Sequence, residues 1–167
     1  INSWDSGFVR NYNKVVSKTT PYVAVGVPVA MAAVALINDD QDLLKDAVYV
    51  GTSVAGAVAV TYGMKYLFDR RRPYEKYPDR IHPFSLEDSP SFPSGHTATA
   101  FMSATLLHKE YGWRSPWFSI GGYTVAAVTG VSRILNNAHW MSDVVAGAAI
   151  GIGSVHLGYY LTDLIFK

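Results

Sequence analysis

Ser132-Arg133-Ile134-Leu135-Asn136-Asn137-Ala138-His139-Trp140-Met141-Ser142-Asp143 is the stretch on which the reading of this chain turns. It lies between two long apolar runs, so its Arg, His and Asp fall where two helices meet, at the edge of the core those helices build. His139 and Asp143 are four residues apart. A last helix beginning near Ala138 would stack the carboxylate on the same face as the imidazole, one turn away. An Asp held against a His fixes its tautomer and supports its positive charge, which prepares the ring for nucleophilic or acid–base work. Arg133 adds a planar donor fork suited to a pair of phosphate oxygens. Taken alone, the constellation fits an N-terminal cap with a surface ion pair better than it fits a catalytic site.

Outward from this stretch the chain reads as helices. Trp117 to about Arg133 forms the helix before it, and Ala138 to Phe166 the helix after it, with Gly147, Gly151 and Gly158 permitting close helix contact. Ser94-Gly95-His96 opens another helix that runs to about Lys109, and Gly112 and Pro116 mark the turn beyond it. Leu43 to Phe68 is uncharged from Ala47 to Met64 and stops ahead of Arg72-Pro73. Asp39, Asp40 and Asp42 sit at its start, where the helix dipole favours acids. Thr19 to Asn38 carries no charge and is punctuated by Pro21 and Pro28. Residues 1–18 place Trp4, Phe8, Val9, Tyr12, Val15 and Val16 at helical spacing among charges, a short amphipathic helix. Strand-like alternation, repeats and low-complexity segments are absent. The expected fold is all-α, a single helical bundle of about five main helices plus that short N-terminal helix, in one domain over residues 1–167.

The composition excludes several classes. An apolar fraction of 49% with 16% charge is far from disorder. A net charge of +1, with no basic stripe beyond Arg70-Arg71-Arg72, implies no nucleic-acid partner. The lack of cysteine removes disulfides and thiolate metal sites. The chain starts at Ile1 in a polar segment without a visible signal peptide, as expected of a trimmed or processed form, with or without the loss of a leader.

Two further stretches join the first. Lys65, Arg72 and Pro73 form Lys-x6-Arg-Pro at the end of one apolar run, and Pro93-Ser94-Gly95-His96 opens another. With Ser132-Arg133-x5-His139-x3-Asp143 they resemble, in order, the three-part signature of the type 2 phosphatidic acid phosphatase superfamily, which also holds bacterial acid phosphatases and vanadium haloperoxidases. The resemblance implies a metal-independent phosphatase acting through phosphohistidine. It makes His139 the nucleophile, Asp143 its orienting partner, His96 the acid that protonates the leaving alkoxide, and Lys65, Arg72 and Arg133 the phosphate cradle. Ser94 and the Gly95 N–H add donors at a helix start, where dipole and unpaired amides favour an anion. Bland roles compete for two of these: Lys65 closing an apolar helix suits snorkelling to water, and Ser94 suits an ordinary cap.

The implied substrate is a phosphorylated lipid such as phosphatidic acid, phosphatidylglycerophosphate, an isoprenyl pyrophosphate or lipid A. The alternatives are a broad acid phosphatase taking small phosphomonoesters, a vanadate-dependent haloperoxidase, which the small size disfavours, and a binding module with a relic motif. Trp140, Tyr74, Tyr77, Phe84 and Phe92 would suit an amphiphile or simple packing. No cofactor or metal is expected, because two arginines and a lysine at one spot repel a cation. Arg70 and Arg71 read as surface charge, with contact to an anionic substrate as the alternative, and His82, His108 and His156 match no motif. Asn136-Asn137 stands where the family commonly has a Gly before the residue preceding the His, and Met141 where a Pro is frequent; the two amides are candidate head-group contacts. The Pro-rich connection from Tyr74 to Phe92 reads as an ordered loop over the site.

Mean hydropathy of only +0.11, runs rich in Ala, Gly, Ser, Thr and Val, and a helix after His96 too short to span favour a soluble or peripheral protein outside the cytoplasm, in the periplasm. The acidic segment Asp39 to Asp46 gives a spanning arrangement no support from charge bias. An integral inner-membrane protein with a periplasm-facing site is the alternative.

Overall fold

The computed structural model describes residues 7–83 and 86–166. The expected parts played by Trp4, and by the side chains of Phe8, Val9 and Phe84, lie outside what is described. The elements are α1 (Gly7–Asn38), α2 (Gln41–Phe68), α3 (Pro73–Lys76), α4 (Gly95–Tyr111), α5 (Pro116–Leu135) and α6 (Met141–Ile165). Five long helices and one short one make the all-helical bundle, with no strand among the described residues.

Each boundary has a local cause. Asp40 caps α2 by accepting the Leu43 N–H at 3.0 Å, and Asp42 follows in the first turn. Ser94 caps α4, accepting from Thr97 N–H and from Thr97 Oγ1. Pro116 is the first residue of α5 behind the Ser115 cap. The separate amphipathic helix expected over residues 1–18 is not found: from Gly7 the chain is already in α1, which continues to Asn38. Its halves Arg10–Thr20 and Tyr22–Asn38 meet at 40°, because Pro21 removes one N–H and bends the helix without ending it. The last helix starts at Met141, not near Ala138.

α6 lies at the centre, packed on α2 and α4; α5 packs on α4, and α1 mainly on α2. Small residues permit this closeness. A Cβ at Gly147 would stand 2.5 Å from the Ser94 carbonyl oxygen, and one at Gly158 2.9 Å from Ser53 N. Since the helices alternate in direction, the end of α2, the start of α4, the end of α5 and the start of α6 meet at one end of the bundle.

The burial pattern corrects the leaning towards a soluble protein. The centre holds Ala47, Ala57, Ala98, Ala126, Ser53, Thr97, Thr105 and Thr162, while Ile37, Leu67, Tyr66, Val145 and Ile165 face outward. A water-soluble bundle buries its large apolar side chains, and this one turns many of them out, as suits a lipid solvent. Gln41–Lys76, Pro116–Leu135 and Met141–Ile165 are long and apolar enough to cross a membrane, and the bent α1 makes a fourth if counted as one span. Gly, Ser and Thr pull the mean hydropathy down, yet with Ala these small residues form much of the inward face. Membrane association therefore follows from segregation within each helix, which an average over the chain hides.

Candidate active site

Lys65 is in the last turn of α2, Arg72 caps α3, Ser94 and Gly95 open α4 with His96 next, and Arg133 is in the last turn of α5. His139 lies in the turn before α6, and Asp143 is the third residue of that helix. The turn requires a left-handed residue at Asn137, with φ of 55°. Asparagine tolerates this conformation better than most residues, and glycine better still. Asn136 and Asn137 lie in this turn, outside the lining of the cavity described below. Met141 is the first residue of α6, a position that suits proline.

His139 is 2% exposed, and its Nδ1–H donates to the Ser91 carbonyl oxygen at 2.8 Å. That bond sets the tautomer and leaves Nε2 with its lone pair, 3.4 Å from Arg72 Nη1. Burial pushes the imidazole pKa down to about 3, against the pull of Asp143 and with Arg72, Arg133 and Lys65 adding to the shift. The ring is thus neutral, with the Nε2 lone pair uncommitted to a proton.

Asp143 stands apart from the expectation of direct orientation. Its Oδ2 is 3.6 Å from His139 Nδ1, beyond a hydrogen bond, and its bonds go elsewhere. It accepts from the Trp140 N–H at 2.8 Å, from Ser91 Oγ, and from Arg70 Nη1 at 2.7 Å. Asp143 therefore fixes Ser91 and the start of α6, and Ser91 in turn holds the imidazole. Arg70 is no plain surface charge: it also donates to Ser142 Oγ at 2.6 Å and lies over the Trp140 ring.

Arg72 is 0% exposed. Its Nε donates to the Ser89 carbonyl and its Nη1 to the Ala138 carbonyl, both at 2.9 Å. Arg133 donates through Nη1 to Asn13 Oδ1 at 3.0 Å, which ties α1 to the site. Both guanidinium groups bond the same carboxylate, Glu87, at 2.9 Å for Arg72 Nη2–Oε2 and by a shorter contact for Arg133 Nη2–Oε1. Lys65 is buried with its Nζ donating to the Pro90 carbonyl, so it does not snorkel. Ser94 donates its N–H to the Asp143 carbonyl at 3.0 Å, joining the second and third motifs.

A cavity of about 330 Å³ opens at this end. Its polar wall is Lys65, Glu87, Ser89, His96 and His139, with Gly95 and Thr61 beside them, and its apolar wall includes Ala24, Val25, Val54 and Val58 from α1 and α2. Arg72 and Arg133 do not line it; Glu87 does. Burial, then Arg72 and Lys65, lower the His96 pKa below 6.5. The described residues hold no cluster of His, Cys, Asp or Glu suited to a metal ion. Cations dominate the site, and what they can hold is an anion.

Three residues at the site escaped the sequence reading, Glu87, Ser91 and Thr61, and Arg70 was read chiefly as surface charge. Glu87 had one signal, since three cations against Asp143 alone call for another anion. Thr61 is one turn before Lys65 on α2, and its buried Oγ1 has no hydrogen-bond partner among the described residues.

The PAP2 superfamily model matches residues 46–166. A lipid A 1-phosphatase of Porphyromonas gingivalis is 66% identical over 77 residues, 46% of this chain and 17% of that protein. The crystal structure of Aquifex aeolicus LpxE superposes with a TM-score of 0.76 at 20% identity, covering 95% of this chain and 90% of that one. A transmembrane PAP2-type phosphatidylglycerolphosphate phosphatase from Bacillus subtilis gives 0.64 at 22% identity, covering 98% and 79%. At these identities the two structures speak for the fold. The chain spans between 17% and 57% of the length of the curated relatives it matches.

Proposed function

Because the chain belongs to the PAP2 superfamily, we propose that it is a metal-independent phosphatase that cleaves the phosphate monoester or pyrophosphate of a membrane lipid through His139. The observation that carries the reading is the committed tautomer of His139. Its Nδ1–H is spent on Ser91, and its Nε2 lone pair stands beside Arg72, with Lys65, His96 and His139 lining one cavity.

Nε2 attacks phosphorus as the P–O ester bond breaks, and His96 gives its proton to the departing alkoxide. A water then attacks the phosphohistidine while the now neutral His96 takes its proton; phosphate leaves and His139 is restored. Lys65, Arg72 and Arg133 neutralise the non-bridging oxygens as charge builds. The names of the relatives favour a lipid phosphate, and so does the apolar wall from α1 and α2, which suits an acyl chain. The bundle sits across the membrane with this end at its surface, on the side away from the cytoplasm. Since the chain has no cysteine, Asp79→Cys gives a single label site. Reaction with an impermeant maleimide on intact cells is expected; reaction only after lysis would reverse the orientation.

The test is phosphate release by purified protein, with a chelator present, from lipid phosphates in detergent and from small phosphomonoesters, with His139→Ala beside it. Release from lipids that His139→Ala abolishes is expected. Equal rates on small esters would make it a broad phosphatase, and full activity in His139→Ala would end the phosphohistidine reading.

A further inference from the structure

The two signature arginines are not vacant. Arg72 and Arg133, 0% and 1% exposed, converge on the carboxylate of Glu87, whose side chain is 21% exposed and faces the cavity. Arg72 divides its fork, with Nη2 on Glu87 and Nη1 near His139 Nε2. A phosphate placed for attack by Nε2 needs the same guanidinium edges that Glu87 holds. The buried Arg133 Nε has no partner among the described residues, so the fork is not saturated by the carboxylate. A carboxylate has two oxygens, and a phosphoryl group has three non-bridging ones.

We infer that Glu87 is an internal stand-in for the substrate's phosphate, held between Arg72 and Arg133 in the empty enzyme and displaced when a phosphoryl group binds. The inference rests on the phosphate cradle proposed above and adds the residue that sets its selectivity.

The physical reason for such a device is burial. Guanidinium groups removed from water with no anion beside them are costly, and Glu87 supplies the anion until substrate arrives. The exchange also has a mechanical basis. The Glu87 backbone is pinned at both ends of its peptide groups, since Tyr74 Oη donates to its carbonyl at 3.3 Å and accepts its N–H at 3.2 Å. The side chain can then swing out while the loop stays in place. Every phosphate entering must displace an intramolecular competitor. Free phosphate does so with its charge alone, whereas a lipid phosphate also buries its chain against the apolar wall. Glu87 therefore disfavours inorganic phosphate and small esters, and it speeds product release by returning to the arginines.

The experiment is calorimetric titration of inorganic phosphate into detergent-purified wild type, Glu87→Gln and Glu87→Asp, with lipid phosphate turnover measured on the same preparations. Glutamine removes the competing charge at nearly constant shape, and aspartate shortens the reach to both arginines. Phosphate binding at least about tenfold tighter in Glu87→Gln than in wild type is expected, about 1.4 kcal/mol. Glu87→Asp should shift the same way by less, and it carries the test if Glu87→Gln does not fold. Unchanged or weaker phosphate binding in the folded variants overturns the inference, because Glu87 would then be ordering the arginines and not competing for them. The turnover arm stands apart: wild type that cleaves no ester contradicts the proposed function, whatever the titrations give.

Discussion

Replacing Asp143 by Asn tests the most specific feature of the site, that Asp143 acts on His139 from a distance and Ser91 in contact. Asn keeps the shape and removes the charge. At 3.6 Å from Nδ1, with an effective dielectric of about 20, the carboxylate attracts a full positive charge on the ring by about 4.6 kcal/mol. Attack by Nε2 develops roughly half that charge in the transition state, so about 2.3 kcal/mol of stabilisation is at stake, or about 50-fold in kcat. Arg70 on the same carboxylate reduces the field, which places the expected loss between about tenfold and 50-fold. The tautomer survives, because the Ser91 carbonyl still takes the Nδ1–H. A direct His–Asp pair, in which Asn selects the wrong tautomer, loses about 10⁴ in kcat. The assay is the initial rate of phosphate release, with kcat and KM separated and the thermal unfolding midpoint measured as a check on folding. A loss near 10⁴ in a folded variant would show that Asp143 bonds the imidazole directly in the working enzyme. A loss below about twofold would show that its field is irrelevant.

The acid–base assignment predicts the pH profile of kcat/KM. His139 works when unprotonated, above about 3, and His96 works when protonated, below a pKa itself lowered from 6.5. The profile of the free enzyme should therefore peak on the acid side and fall before pH 6.5, with a limb that disappears in His96→Asn; a limb above 6.5 would contradict the assignment. Helix contact makes a separate prediction. A Cβ at Gly151 would collide with the Ala98 carbonyl oxygen and lie 2.8 Å from Met102 N, both backbone atoms, while one at Gly153 meets nothing within 4 Å. Gly151→Ala should destabilise by about 1–3 kcal/mol, and Gly153→Ala should be neutral or stabilising by up to about 1 kcal/mol. Equal unfolding midpoints in detergent would refute the packing of α6 on α4.

The amino-acid sequence alone was enough for the all-helical bundle, and it named Lys65, His96, Arg133 and His139, which the fold brings to one end. Long apolar runs and caps such as Asp40 and Ser94 are local features that persist in the fold. Alternating helix direction then brings Lys65, His96, Arg133 and His139 to one end, whatever the details of packing. The continuity of α1 was not legible, because a proline can end a helix or bend it, and only contact with α2 decides which. The membrane-facing surface was hidden for a different reason: Ser and Thr lower the mean hydropathy wherever they point, and direction is a tertiary property.

Within the site, the residues that sequence spacing could not place are those carried by the loop before α4. The Ser91 carbonyl accepts the His139 Nδ1–H, while the Asp143 carboxylate, one turn on, stands at 3.6 Å from the same nitrogen. Glu87 reaches Arg72 and Arg133 across 15 and 46 residues of sequence, a meeting that no local periodicity encodes. Motifs record which groups are brought together. The charge balance that holds those groups ready inside a bundle is settled only when the loop closes over them.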